Sequence, residues 1–158
     1  MKFLVIDTGN GGLDIAYRAK MAGHQVRLFV RNNKDGSRPE VGDGGMVDRV
    51  PHWEPSMGWA DLIFCTDNNF YTAMLEHYRD KGYPIFGPSL SATQWEQKRD
   101  LGEEVLKRVG IKTIPSKTFT KYDEAIKYVI ETNKPYVCKP IGDGDKALSY
   151  VPKSPAAS

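Results

Sequence analysis

The chain has 158 residues, of which 40% are hydrophobic and 27% charged, and its formal net charge is +2. This length fits one domain, or one domain and part of a second, and the charges are too evenly interspersed to favour a nucleic-acid-binding protein. No apolar segment is long enough for a signal-peptide core or a membrane span, so we expect a cytoplasmic protein without a membrane partner. Both cysteines, Cys65 and Cys138, lie in apolar strand-like segments without metal-ligand spacing, which predicts buried, reduced thiols.

Strand and helix patterns alternate through residues 1–90. This alternation is typical of an α/β fold with a parallel sheet, because a helix carries the chain back between parallel strands. Helical patterns begin near Leu13 and Tyr71, and a segment rich in Gly, Pro and Asp separates them over residues 31–59. We therefore predict a Rossmann-like domain over residues 1–90. Apolar segments predict its strands at residues 3–6, 25–30, 46–50, 61–66 and 84–86.

A long helix is predicted over residues 91–110. Ser91 and Gln94 have capping-box spacing at its start, and Gly110 is a natural stop. On a helical wheel Lys98 falls in the middle of an apolar face, which is formed by Trp95, Leu101, Gly102, Val105, Leu106 and Val109. A buried ammonium group is costly unless it is paired or reaches an edge of the core. Lys98 is therefore expected either to snorkel or form a structural ion pair, or to bind a ligand phosphate.

A glycine-rich turn separates the first strand from the first helix and consists of Gly9, Asn10, Gly11 and Gly12. Glycines let the backbone approach a phosphate, and a helix N-terminus offers free N–H groups. The pattern does not favour NAD, because Asp14 occupies the place of the third glycine and Arg31 ends the second strand where an acid would bind ribose. A small phosphorylated ligand is one interpretation, and a tight turn without a ligand is the other.

Two polar residues, Asp67 and Asn68, directly follow the apolar strand predicted at residues 61–66. Ligands in open α/β sheets bind just outside the carboxyl ends of the strands, so these side chains are candidates for substrate binding. The alternative is that they cap the helix that follows.

A second lysine, Lys139, lies on an apolar strand predicted at residues 136–139, and another strand is predicted at 147–151. The loop between them carries glycines and charges, with Gly142, Asp143, Gly144 and Lys146 as its candidate residues. A glycine loop with a lysine between two antiparallel strands can fold over nucleotide phosphates. A plain hairpin loop is the alternative interpretation.

These pieces together resemble the phosphoribosylamine–glycine ligase family, also called glycinamide ribonucleotide synthetases, within the ATP-grasp ligases. The resemblance is carried by VIDTGNGG, by IFGPSLSATQWEQKRDLGEEVLKRVGIKTIPSKTFT and by PYVCKPIGDG. It implies a preATP-grasp domain over residues 1–90, a connecting helix over 91–110 and the beginning of an α+β ATP-grasp subdomain over 111–158. It also implies ATP contacts from Lys98, Lys139 and the loop with Gly142, Asp143, Gly144 and Lys146, and substrate contacts from Gly9, Asn10, Gly11, Gly12, Asp67 and Asn68.

The resemblance implies an ATP-dependent carboxylate–amine ligase of purine biosynthesis, which activates a carboxylate as an acyl phosphate that an amine then attacks. ATP and Mg²⁺ are the expected cofactors, and the family's metal ligands are expected outside this chain. The resemblance therefore assigns no catalytic residue and no metal ligand here. We expect the N-terminal portion of a longer ligase, inactive alone, that could form a homodimer through an exposed strand edge. The alternative is a stand-alone module that binds a nucleotide or phospho-ligand without catalysis.

The sequence departs from the family pattern at two places. Leu13-Asp14-Ile15 stands where the family has Arg-Glu-His, and Thr66-Asp67-Asn68 stands where it has Gly-Pro-Glu. Both places lie on the side that binds the amine substrate, so the ATP side keeps the family pattern better than the substrate side. The identity of the acceptor substrate stays open.

Overall fold

The structure, a computed structural model, describes residues 1–9, 11–140 and 148–152, with the side chain of Arg99 excepted. The chain divides into two compact units, Met1–Thr93 and Gln94–Ser158. In chain order the elements are β1 (Lys2–Asp7), α1 (Leu13–Met21), β2 (Gln25–Val30), β3 (Asp48–Arg49), a 3₁₀ helix (Glu54–Trp59), β4 (Leu62–Cys65), α2 (Thr72–Asp80), β5 (Ile85–Phe86), α3 (Leu90–Gln97), α4 (Arg99–Arg108) and α5 (Tyr122–Thr132).

The first unit is built on a five-stranded sheet in the order β3-β2-β1-β4-β5, and every pairing is parallel. β1 lies in the centre, where Val5 is in register with Leu28 of β2 on one side and with Phe64 of β4 on the other. A central strand covered on both faces explains the continuous apolar segment near the N-terminus. The predicted α/β class with a parallel sheet is confirmed.

Successive side chains of β1 supply the core on opposite faces of the sheet. Leu4 and Ile6 pack on one face with apolar residues of β4, α2 and the 3₁₀ helix, among them Met57 and Leu75. Val5 packs on the other face, in a cluster of buried residues that also contains Ala16, Val26, Leu28, Val30 and Val47. The first unit therefore has helices on both sides of its sheet and a core in each layer.

The glycine-rich segment after β2 is held by two arginines. Arg38 binds Asp43 through two hydrogen bonds of 2.7 and 2.6 Å, and these bonds lower the pKa of the Asp43 carboxyl. Arg49 is largely buried and donates from Nη1 to the backbone carbonyls of Pro39 and Val41. The Arg49 side chain thus fastens the backbone of this segment to β3, the edge strand of the sheet.

The predicted connecting helix is divided into α3 and α4, because Lys98 between them has an extended backbone with φ −110° and ψ 93°. Gly102 explains the close approach of the two segments, since a Cβ there would overlap the carbonyl oxygen of Trp95. The start also differs from the prediction: Ser89, not Ser91, caps α3, and its Oγ accepts a 3.1 Å hydrogen bond from Ala92 N–H. Among the helices of the described residues, none combines the length and apolar character needed to cross a bilayer.

The second unit contains α4, α5 and little further regular structure. Within its described part no residue is buried, and Ile126 and Val137 are 56% and 55% exposed. The two strands predicted at 136–139 and 147–151 are represented by a single antiparallel bridge between Cys138 and Tyr150. The prediction that Cys138 is buried is wrong, since its side chain is exposed. Within the described part of this unit, the bridge to Tyr150 is not extended into a sheet that would cover it.

Candidate functional site at the carboxyl edge of the sheet

Asp7, the last residue of β1, organises the glycine-rich turn. Its side chain is fully buried and accepts hydrogen bonds from the backbone N–H groups of Gly9, Gly11 and Gly12 at 3.1, 3.3 and 2.9 Å. Thr66 adds a fourth bond from its hydroxyl at 2.7 Å. A buried carboxylate needs such donors, so the fold of the turn and the burial of Asp7 depend on each other.

Gly12 is required by close packing. A Cβ at this position would lie 2.9 Å from Cγ1 of Val5 and 3.1 Å from Cβ of Asp7. The backbone at the start of α1 therefore lies directly against β1, which any larger residue would prevent. The interpretation of this turn as a tight strand-to-helix connection is supported by these distances.

The residues after β4 are joined to the same turn. Asp67 is buried, and its Oδ1 accepts a 3.1 Å hydrogen bond from the hydroxyl of Thr8. Its Oδ2 accepts from the backbone N–H groups of Asn69 and Tyr71 at 3.2 and 2.6 Å, just before α2 begins. Asp67 thus orders the start of α2. This contact agrees with the alternative given above for Asp67, that it caps the helix that follows.

The substrate-binding candidates mostly lie together. Gly9, Gly11 and Gly12 follow β1, and Asp67 follows β4, so the structure brings them to one edge of the sheet. Asn68 is exposed beside Asp67. Asn10, also a candidate, lies outside the described residues. This edge is the switch point of the sheet, because β2 and β4 lie on opposite sides of β1, and ligands of open α/β sheets bind at such points.

The N–H groups of the described glycines in the turn are not free to bind a ligand phosphate. The N–H groups of Gly9, Gly11 and Gly12 already donate to the carboxylate of Asp7. Sequence reasoning missed Asp7, although an acidic residue at the end of an otherwise apolar strand, directly before glycines, is a signal for such a contact. Several backbone N–H groups of the turn converge on one anion, as in an anion-binding loop, and that anion is the Asp7 carboxylate.

Arg31 and Phe70 are two further residues of this edge that sequence reasoning did not assign to a site. Arg31 follows β2, and its backbone N–H donates to the carbonyl of Asp7 at 2.9 Å. Its guanidinium carbon lies 3.6 Å from the ring centroid of Phe70, which is 51% exposed after β4. Burial raises the pKa of the neighbouring Tyr71 phenol, and the charge of Arg31 acts against that rise.

The lysines predicted to bind ATP lie in the second unit. Lys98 is exposed at the break between α3 and α4, so its predicted place within a buried apolar face is wrong. Lys139 is exposed next to the bridge at Cys138. Neither ammonium group has an ion pair recorded within the described part of the chain. The remaining candidates, Gly142, Asp143, Gly144 and Lys146, lie outside the described residues.

Other features of the described residues do not coincide with this edge. In the ranges 1–9, 11–140 and 148–152, no group of three His, Cys, Asp or Glu side chains is placed to hold a metal ion. A shallow cavity of about 310 Å³ lies at the opposite end of β2, and its lining consists of Lys20, His24, Gln25, Val26, Arg27, Asp48 and Trp59.

Curated relatives of the chain are phosphoribosylamine–glycine ligases. The enzyme of Listeria monocytogenes serovar 1/2a is 27% identical over 153 residues, and that of Streptococcus suis is 29% identical over 151 residues. Each match covers 90% of this chain and 35% of the relative, so the chain spans about a third of the length of these proteins. No protein-family model matches the chain. The resemblance drawn from the sequence motifs is confirmed, and it concerns the N-terminal part of these ligases.

Solved structures share the fold. N5-carboxyaminoimidazole ribonucleotide synthetase from Thermotoga maritima has a TM-score of 0.69 at 20% identity, over 96% of this chain and 41% of that one. Phosphoribosylamine–glycine ligase from Thermotoga maritima has a TM-score of 0.66 at 14% identity, over 99% and 37%. The Staphylococcus aureus N5-carboxyaminoimidazole synthetase complexed with ADP has a TM-score of 0.67 at 19% identity, over 93% and 39%.

Proposed function

We propose that the chain forms the N-terminal part of an ATP-dependent carboxylate–amine ligase similar to phosphoribosylamine–glycine ligase, with a role in purine biosynthesis. The observation that carries this proposal is the similarity to those ligases over 90% of the chain. The parallel sheet with polar residues at its carboxyl edge supports it, because this arrangement is a common place for small ligands. On this proposal residues 1–90 are the preATP-grasp domain, 91–110 connect, and 111–158 begin the ATP-binding subdomain.

The two lysines are proposed to hold the phosphates of ATP. Lys98 and Lys139 are exposed, and no carboxylate is recorded as an ion-pair partner for either within the described residues. Such ammonium groups are available to a ligand, whereas ion-paired lysines such as Lys127 have an internal partner. A related fold in complex with ADP supports the nucleotide assignment. Gly142, Asp143, Gly144 and Lys146 are proposed to close over the same phosphates.

The chemistry proposed for the complete ligase is phosphoryl transfer from ATP to a carboxylate, followed by attack of an amine on the activated carbonyl. In the described ranges no three His, Cys, Asp or Glu side chains are placed to hold a metal ion together, and no step through Mg²⁺ is assigned to these residues. Their proposed contribution is to bind and orient: the lysines toward ATP, and the edge with Gly9, Asn10, Gly11, Gly12, Asp67 and Asn68 toward the second substrate. The chain alone is therefore expected to bind ligands without turnover.

Calorimetric titration of the 158-residue chain with Mg-ATP tests this proposal. Lys98→Ala and Lys139→Ala are each expected to weaken binding at least tenfold, because each removes one charge-assisted contact to a phosphate. Lys127→Ala is the matched control, since this exposed lysine of the same unit pairs with Glu131 at 3.8 Å. Thermal unfolding of every variant shows whether a loss of binding reflects a loss of folding.

The outcomes separate the competing functions. Binding that survives both lysine substitutions would place the nucleotide elsewhere and contradict the ATP-grasp assignment. Mg-ATP-dependent release of ADP by the chain alone, with phosphoribosylamine and glycine present, would contradict the expectation of an inactive part. Binding that needs both lysines, without turnover in any longer form of the protein, would instead support a nucleotide-binding module without catalysis.

A further inference from the structure

A ligand anion at the carboxyl edge of the sheet meets no free N–H group among the described glycines of the turn. In the described part of the turn, the N–H groups of Gly9, Gly11 and Gly12 already donate to Asp7. Asp67, the other acidic residue of this edge, is occupied by one hydroxyl and two backbone donors. Backbone N–H groups and a threonine hydroxyl thus satisfy each of the two carboxylates, and within the described residues neither is recorded in an ion pair.

Arg31 is the arginine of this unit whose guanidinium N–H groups have no recorded acceptor within the described residues. Residues 1–9 and 11–93 contain six arginines, and for the other five the structure records hydrogen bonds from the guanidinium to protein acceptors, namely for Arg18, Arg27, Arg38, Arg49 and Arg79. For the Arg31 guanidinium the structure records, within these residues, a contact with the Phe70 ring and no hydrogen bond. The side chain is nevertheless half-buried, so it is held in place rather than free in solvent.

The contact with Phe70 leaves the hydrogen-bonding edge of Arg31 available. The guanidinium carbon lies 3.6 Å from the ring centroid. This distance leaves too little room for an N–H group to point at the ring, which favours stacking of the flat face of the guanidinium on it. The five N–H donors lie in the plane of the group and point away from that face. A fork of in-plane donors matches two oxygens of a phosphate, and a ring that fixes the plane lowers the entropy lost on binding.

We propose that Arg31, oriented by Phe70, binds the phosphate of a phosphate-monoester substrate at the switch point of the sheet. Arg31 follows β2 and Phe70 follows β4, so their contact crosses the end of β1, where Asp7 accepts the backbone N–H of Arg31. This inference rests on the proposed function, and it moves recognition of the substrate phosphate from the glycine turn to a side chain. The turn then shapes the floor of the site, through Asp7, without contacting the anion.

The test is a titration of the ¹⁵N-labelled 158-residue chain with ribose 5-phosphate, followed in proton–nitrogen correlation spectra. We expect saturable shifts of the Arg31 Nε–H signal, which Arg31→Gln identifies by its disappearance. Arg31→Gln is expected to weaken binding about tenfold or more, as followed through the backbone signals of Gly9 and Phe70. Phe70→Leu is expected to weaken it several-fold, because it removes the ring and keeps an apolar side chain.

Matched controls make the test specific. Arg18→Gln removes an exposed arginine of α1 that pairs with Asp14, and it should leave the affinity unchanged. Ribose without phosphate and acetate should both fail to shift the Arg31 signal at the concentrations that saturate with ribose 5-phosphate. Unchanged affinity of Arg31→Gln, an equal response to acetate, or no saturable shift at Arg31 would each overturn the proposal. Mg-ATP titration of the same sample tests the proposed function separately, because it depends on Lys98 and Lys139.

Discussion

Thr66 joins the ends of two neighbouring strands by donating a 2.7 Å hydrogen bond from its hydroxyl to Oδ1 of Asp7. Thr8 makes the reciprocal connection, from the β1 side to Oδ1 of Asp67 on the β4 side. The two strand ends are thus linked by a pair of hydroxyl–carboxylate bonds in addition to the sheet hydrogen bonds. Side chains of the protein itself therefore connect the carboxyl edge between β1 and β4.

Asp7→Asn should destabilise the protein strongly. The amide keeps the size of the side chain but replaces one acceptor with a donor, which faces the N–H groups of the turn. We expect the free energy of unfolding to fall by about 2–3 kcal/mol, since buried donors lose a charged acceptor. Urea unfolding measures the change. Asp14→Asn, which breaks only an exposed ion pair with Arg18, should cost less than about 0.5 kcal/mol, and equal losses would contradict the role of Asp7.

Gly12→Ala should destabilise, whereas Gly11→Ala should not. A Cβ at position 12 would lie 2.9 Å from Val5 Cγ1, while nothing lies within 4 Å of a Cβ at position 11. We expect Gly12→Ala to lower the free energy of unfolding by about 1–3 kcal/mol through overpacking. Gly11→Ala keeps its N–H donor and should stay within about 0.5 kcal/mol of the unsubstituted protein. Equal unfolding midpoints for the two variants would show that α1 can move away from β1 at little cost.

The two cysteines should differ in reactivity. Burial raises the pKa of the Cys65 thiol to about 11, and its Sγ contacts the carbonyl of Asp67 at 3.7 Å, whereas Cys138 is exposed. At pH 8 the thiolate fraction of Cys65 is on the order of 0.1%, and alkylating reagents react with thiolates. Iodoacetamide followed by mass spectrometry should therefore label Cys138 first in the native protein and both residues in urea. Rapid native labelling of Cys65 would mean that β4 opens readily.

Cys65 should also make stability fall at alkaline pH. The folded state keeps the thiol protonated up to about pH 11, whereas the unfolded chain releases the proton above the ordinary value of 9.0. The unfolded state then binds fewer protons, so the free energy of unfolding decreases as the pH rises from 9 to 11. The contribution is fully present below pH 9. Other groups titrate in this range, so the measurement is the difference in slope between the unsubstituted protein and Cys65→Ala, which should have the shallower slope.

Gly102→Ala should disturb the junction at Lys98. Alanine normally favours a helix over glycine, but here its Cβ would overlap the carbonyl oxygen of Trp95. We expect α4 to shift, and exchange of the Lys98 amide, which donates to Gln94 at 2.8 Å, to accelerate about tenfold. Glu104→Ala, at an exposed position of α4, is the matched control and should leave that rate unchanged. Slower exchange in Gly102→Ala would indicate that the glycine itself causes the break.

The strands of the sheet could be predicted from the local sequence, because a strand buried on both faces requires a continuous run of apolar residues. The strand predicted at residues 25–30 has the bounds observed for β2, and the other predicted strands of the first unit are found within two residues of their ends. β3 is shorter than predicted, because only Asp48 and Arg49 pair with β2. These elements follow from period and composition alone.

The contacts that define the carboxyl edge could not be predicted in the same way. Asp7 directly follows the strand predicted at residues 3–6, and its bonds to the glycine turn depend on the direction of a side chain that the period does not give. The contact of Arg31 with Phe70 joins residues that follow different strands, and no local window of sequence contains both. The prediction that Lys98 lies within an apolar helix face failed for a related reason. A helical wheel assumes a continuous helix, and the break at Lys98 accompanies the close approach of Gly102 to Trp95.

The internal carboxylate of Asp7 has a consequence for how this protein would meet a ligand. In many nucleotide and phosphate loops the anion itself pulls the backbone amides into place, so part of the binding free energy is spent on ordering the loop. Here the amides are already ordered around a residue of the chain. A ligand arriving at this edge would find a finished surface, and its affinity would depend on the side chains it touches rather than on the folding of the turn beneath it.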